Sequence, residues 1–362
     1  MFSLVLLFLS NFINGNKIIS EQFVLKDRLP SVSLSMPYEK YNKNTYLNTY
    51  ISYSLFDIED FMYIHEKGHN MTLKLYRNYR CYKYNTSISL FKQKQVNLSY
   101  NIAIFDNYQY YIEDIGLAIG YSFENDSYSL VHSLYNKGLI EQHQFSFEWL
   151  NNGGIFHIGG IKNNNYTYKG YCEIKENHTT WGCDLNQIVY GNHIFNVSYY
   201  GVFHTGSTMF FLSENFFQFI KTHIFPECVV NKRSNEIKTL DCDPFILDDL
   251  SDRSITFIFN NLMVNISLDL MFNLEYGKMK SQFYSFPLDI EPKTVILGNL
   301  FLKLFNLTQF DYDRKRVTFY SDIIPMTMTK IPFKGSPILF NIIILICLVN
   351  SIVLLFIKIY YR

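Results

Sequence analysis

The sequence predicts a mainly β protein of two lobes with a few short helices, followed by a C-terminal transmembrane helix. Three observations carry this. Short runs rich in Ile, Val, Phe, Tyr and Thr alternate with Asn, Gly and Asp turns through most of the 362 residues, the pattern of half-buried strands. Once a leader and a tail are set aside, the length leaves room for two lobes of about 150 residues each. Ile338 to Ile357 is an apolar run broken only by Asn341, Asn350 and Ser351, and about 20 such residues span a bilayer.

The elements follow in order. Met1 to Ser10 is apolar but too short to span a membrane, and Gly15 is a small residue near a cleavage point, so residues 1–15 read as a signal peptide. Ser129 to Lys137 reads as a helix stopped by Gly138; a second helix starts at Ser213 as N-cap with Phe216, Phe217 and Ile220 on one face. A third follows Gly298. Phe310-Asp311-Tyr312 turns through Asp313-Arg314-Lys315 into Val317 to Tyr320 as a hairpin. Residues 324–336, with Pro325 and Pro332, form a stem. Residues 337–357 form the membrane helix and 358–362 a short basic cytoplasmic tail, the arrangement of a type I anchor. A buried C-terminal helix and a tail removed for a lipid anchor are the alternatives.

Lysine plus arginine and aspartate plus glutamate number 32 each, so no net field points to nucleic acid as a partner. Sequons at Asn70, Asn85, Asn97, Asn125, Asn165, Asn177, Asn196, Asn265 and Asn306 lie between leader and anchor, which fits a lumenal or extracellular ectodomain in the secretory pathway. In that oxidising compartment Cys172–Cys183 and Cys228–Cys242 are the expected disulfides, with Cys81 left over and Cys347 in the membrane helix.

Several blocks then fall in a telling order. Val202-Phe203-His204-Thr205-Gly206-Ser207-Thr208 is an apolar strand running into a tight turn. Asp114 to Tyr121, Ser133 to Ile140, Gln144 to Phe147, the glycine pairs of Gly153 to Gly160, and Val295 to Leu302 complete the set. Together they resemble the pepsin-like aspartic peptidase family, over roughly residues 50 to 321. The resemblance implies a bilobal pepsin-like β fold, residues 16–160 forming the N-terminal lobe and 161–323 the C-terminal lobe, with a peptide cleft between. Each lobe of that family donates one aspartate from an Asp-Thr-Gly loop. Here His204 stands in the second loop, followed by Thr205, Gly206 and Ser207. In the first lobe Leu55-Phe56-Asp57-Ile58-Glu59-Asp60 aligns best, which makes Asp57 the surviving acid. Tyr84 of Tyr84-Asn85-Thr86-Ser87 is the counterpart of the family's flap tyrosine.

Two carboxylates sharing a proton across a water are what that chemistry needs. A histidine in one loop, and Ile58 and Glu59 in place of threonine and glycine in the other, impair it. The expectation is a membrane-anchored, monomeric family member of little or no peptidase activity, holding polypeptide in its cleft and needing no cofactor. An active endopeptidase using Asp57 with His204, the imidazolium acting as electrophile, is the alternative. A third reading comes from His65-Glu66-Lys67-Gly68-His69, which satisfies the H-E-x-x-H pattern of zinc peptidases. Gly68 weakens the helix this needs, and a surface loop is the plainer reading.

Overall fold

The computed structural model describes residues 18–26, 29–35, 43–49, 55–57, 69–74, 78–90, 94–104, 117–118, 130–161, 165–175, 178, 180–232, 237–244, 254–285 and 293–322. Before residue 130 the described side chains are those of 18–25, 30, 31, 47 and 49. The expected leader, stem, membrane helix and tail lie outside these residues. Among the described residues no helix is long and apolar enough to cross a membrane.

The strands are β1 (Ile19–Lys26), β2 (Leu29–Ser35), β3 (Lys43–Asn48), β4 (Leu55–Asp57), β5 (His69–Lys74), β6 (Asn78–Leu90), β7 (Lys94–Ile104), β8 (Leu117–Ala118), β9 (Gln144–Leu150), β10 (Gly153–Ile158), β11 (Tyr168–Glu173) and β12 (Gly182–Tyr190). They continue as β13 (His193–Phe203), β14 (Phe210–Leu212), β15 (Val229–Lys232), β16 (Lys238–Cys242), β17 (Ser254–Phe259), β18 (Met263–Ser267), β19 (Phe272–Glu275), β20 (Lys278–Ser281), β21 (Phe283–Ser285), β22 (Thr294–Leu297), β23 (Leu307–Asp311) and β24 (Arg316–Tyr320). Helices are α1 (Leu130–Asn136), α2 (Glu214–His223) and α3 (Asn299–Leu302).

Two sheets result. The first runs β11-β24-β23-β9-β10-β1-β2-β6-β7-β4, with β3, β5 and β8 joined at its side; the second runs β18-β17-β12-β13-β22-β14-β21-β16-β20-β19, with β15 on β16. The sheets do not divide at residue 160. The late hairpin β23–β24 returns to the first sheet, pairing β23 with β9 and β24 with β11.

The helices answer to their sequence signals. In α1, Leu130, Val131 and Leu134 are buried, and Gly138 ends it at φ 62°, a left-handed stop that glycine adopts without a Cβ penalty. Helix α2 buries Phe216, Phe217 and Ile220, and Ser213 stands at the N-cap position without a side-chain capping hydrogen bond. Each such aromatic contributes about 1.5–3 kcal/mol by leaving water.

Aromatic packing joins the layers. Trp181 lies edge-on to Phe145 at 5.7 Å and to Phe310 at 5.3 Å between ring centroids, and Phe203 of the second sheet meets Phe319 of the first at 5.3 Å. The Cys172–Cys183 disulfide links β11 of the first sheet to β12 of the second. Cys228–Cys242 ties the chain beyond α2 to β16. Both pairings agree with the sequence reading.

Candidate functional site

Strand β13 leads directly into His204, which is buried. Its outer half alternates exposed with half-buried residues, and its last four, Tyr200 to Phe203, are all buried. They lie between β12, which pairs antiparallel, and β22, which pairs in parallel with Phe203 opposite Leu297. A strand covered on both faces must be apolar throughout. At Gly201 a Cβ would come within 2.9 Å of the Leu297 side chain, so the absent side chain is what lets β13 and β22 close.

The turn that follows is held on every side. Ser207 N–H donates to the His204 carbonyl at 3.2 Å, and His204 N–H donates to the Leu297 carbonyl at 3.0 Å. Ser207 Oγ donates to the Met209 carbonyl at 3.0 Å, and Asn299 Nδ2 donates to the Thr205 carbonyl at 2.8 Å. Gly298 supports the turn from below, where a Cβ would meet the Met209 and Ser207 carbonyl oxygens at 2.3 and 2.7 Å. His204 is 2% exposed and Thr205 and Ser207 are fully buried; Gly206 is buried as well.

From the first lobe, the segment that meets this turn is Leu47-Asn48-Thr49. Thr49 Oγ1 donates to the Phe203 carbonyl at 2.7 Å and accepts from Thr205 N–H at 2.9 Å. Thr205 Oγ1 donates to the Leu47 carbonyl at 2.6 Å and accepts from Thr49 N–H at 3.0 Å. The four bonds are reciprocal: they exchange Leu47 with Phe203 and Thr49 with Thr205. Position 48 is therefore the counterpart of position 204. The strand pairings repeat the relation, since Leu47 lies opposite Leu117 in parallel β8 as Phe203 lies opposite Leu297 in parallel β22.

The residues named from sequence are thus partly brought together. Thr205, Gly206, Ser207 and His204 form one turn. Asp57 ends β4, opposite Ala103 of β7, and among the described residues the hydrogen bonds reaching the His204 turn from the first lobe come from Leu47 and Thr49. Ile58, Glu59 and Asp60 lie outside the described residues. Tyr84 sits in the middle of β6, opposite Tyr100 of β7, and Asn85 to Ser87 are paired beside it, so this segment is ladder and not a hairpin tip.

Leu47-Asn48-Thr49 carries neither a carboxylate nor a following glycine, the two features that mark such a loop in sequence. Its one signal is the shared apolar-x-Thr pattern of Leu47-Asn48-Thr49 and Phe203-His204-Thr205.

For metal chemistry, His69 opens strand β5, and 65–68 lie outside the described residues. Among the described residues no group of three or more His, Cys, Asp or Glu side chains is disposed to hold an ion. Of the sequons, Asn165, Asn196 and Asn265 are exposed and Asn306 is half-buried; Asn177 lies outside the described residues, as do the side chains of Asn70, Asn85, Asn97 and Asn125.

The profile of the eukaryotic aspartyl protease family matches residues 104–321. Among solved structures, the crystal structure of an aspartic proteinase from Irpex lacteus superposes with a TM-score of 0.66 at 14% identity, covering 84% of this chain and 97% of that one. No curated protein sequence matches.

Proposed function

Because the chain belongs to the eukaryotic aspartyl protease family, we propose that it is a catalytically impaired, membrane-anchored member of it that binds polypeptide, in which Asn48 and His204 occupy the places of the two catalytic aspartates. The observation that supports this reading is the reciprocal bonding of Thr49 and Thr205, which makes positions 48 and 204 counterparts. A carboxamide neither ionises nor takes up a proton near neutrality, so Asn48 cannot share a proton with the residue at position 204 as one carboxyl of the family's pair does with the other. Water held between such groups lacks the base and the acid that peptide hydrolysis requires together. Thr49 and Thr205 still hold the two loops, so the scaffold for an extended chain outlives the chemistry. The Asp57–His204 pairing has no such support, because β4 follows β3 by several residues and pairs elsewhere.

Anchoring by residues 337–357, a lumenal or extracellular ectodomain and a monomeric state complete the reading, supported by the apolar C-terminal run and the spread of sequons. The test is digestion of a peptide library by the purified protein from acid to neutral pH, beside His204→Ala, with retention of uncleaved peptides measured in parallel. Retention without cleavage above the His204→Ala background is expected. Cleavage by the wild type that disappears in His204→Ala would overturn the proposal.

A further inference from the structure

Outside the His204 turn, two histidines face each other closely enough to share a metal ion, although no group of three or more His, Cys, Asp or Glu among the described residues is disposed to hold one. His132 lies on α1, His143 immediately before β9, and Asp313 in the turn between β23 and β24. His132 Nδ1 and His143 Nε2 are 3.3 Å apart. The His143 ring is clamped between Tyr135, stacked at 4.7 Å and 9°, and Tyr312, stacked at 4.3 Å and 8°. Its Nδ1 faces Asp313 Oδ1 at 3.5 Å.

The tautomer follows from the partners. A carboxylate only accepts, so His143 carries its proton on Nδ1 toward Asp313, which turns the Nε2 lone pair toward His132. With Zn–N bonds of about 2.0–2.1 Å, two nitrogens 3.3 Å apart subtend about 104–111° at the ion, the tetrahedral value. A carboxylate behind a ligating histidine is the arrangement that fixes ring orientation in zinc sites.

We propose that His132 Nδ1 and His143 Nε2 bind a first-row divalent metal such as zinc, with Asp313 positioning His143 and water filling the remaining places. The ion clips α1 to the start of β9. Because β9 pairs with β23, it fastens the helix to the central strands of the first sheet. This site is independent of the reading of positions 48 and 204. The spacing also suits an imidazole–imidazole hydrogen bond, and that is the competing outcome.

Titration calorimetry of the purified full chain with ZnCl2 at neutral pH decides between them. His132→Ala removes a half-exposed ligand, whereas His143→Ala would disturb the tyrosine stack. The expected result is one zinc per chain with micromolar affinity, absent in His132→Ala and about tenfold or more weaker in Asp313→Asn. Should His132→Ala misfold, Asp313→Asn carries the decision. No zinc bound by the wild type, or binding unchanged in the variants, overturns the proposal.

Discussion

Thr49 and Thr205 each complete the other's backbone: the hydroxyl of one accepts the other's N–H and donates to the carbonyl two residues before it. Both side chains are fully buried. This lattice is indifferent to the residue between Leu47 and Thr49, or between Phe203 and Thr205, since it uses only their flanks. The lock between the two loops therefore does not depend on which side chains stand at positions 48 and 204.

Removing one hydroxyl from this lattice strands a buried N–H and a buried carbonyl, and such groups cost about 1–3 kcal/mol each when left unpaired. Thr205→Ala should lower unfolding stability by about 2–4 kcal/mol, while Thr205→Ser, which keeps the oxygen, should lose about 1 kcal/mol or less. Denaturant unfolding of both variants checks this. Equal losses would show that the methyl group, not the hydroxyl, matters.

If positions 48 and 204 are the counterparts of the two acids, one restored carboxylate is not enough. His204→Asp alone should leave peptide cleavage at background, because Asn48 provides no second acid. Asn48→Asp with His204→Asp should cleave in acid about 100-fold above background. Tyr50, which follows Thr49 where the family's loop has glycine, should limit even that pair, and adding Tyr50→Gly should raise the rate further. Full activity from His204→Asp alone would contradict the assignment.

The β class, the helices α1 and α2, the late hairpin and both disulfides were legible because each rests on a local signal: an apolar face, a glycine stop, a short cysteine spacing. The second turn was legible for the same reason, its Thr205-Gly206-Ser207 chemistry being intact. The first was not. Leu47-Asn48-Thr49 carries neither a carboxylate nor a following glycine, and what identifies it is a set of hydrogen bonds across more than 150 residues of chain, of which the shared apolar-x-Thr pattern is the one local trace. Asp57 stands out in sequence because Leu55-Phe56-Asp57 matches the apolar-Phe-Asp start of the family's loop. Likewise Tyr84-Asn85-Thr86-Ser87 has turn-forming residues yet lies in a ladder, because its pairing with β7 outweighs propensity.

Glycan occupancy should follow side-chain exposure. Asn165, Asn196 and Asn265 are exposed, whereas Asn306 is half-buried and its Oδ1 accepts from Ser321 Oγ at 3.0 Å and Asp322 N–H at 2.9 Å. Glycosidase treatment with mass mapping of the secretory-expressed protein should find the first three modified and Asn306 largely bare. Full occupancy at Asn306 with Asn196 and Asn265 empty would refute the link to exposure.

Acid should weaken the second sheet through Glu214, the first residue of α2. Burial alone would raise its pKa, but hydrogen bonds from Lys238, Ser285 and Gln218 outweigh that and hold it below the ordinary 4.5. Ser285 Oγ donates to Oε2 at 2.6 Å, Gln218 Nε2 to Oε1 at 2.9 Å, and Lys238 Nζ pairs with Oε1. These contacts tie α2 to β16 and β21. A carboxylate with a depressed folded pKa binds fewer protons folded than unfolded, so its contribution is complete above pH 4.5 and is lost as pH falls through the lower folded value. The side chain is 41% exposed, so solvent screens the gain and the effect is small. Thermal unfolding of the wild type and Glu214→Gln across acid pH isolates it from other carboxylates. The wild type should be the more stable above pH 4.5, and the two curves should converge below it as Glu214 protonates. A difference that stays constant into strong acid would mean that packing of the side chain, and not its charge, holds the helix to the sheet.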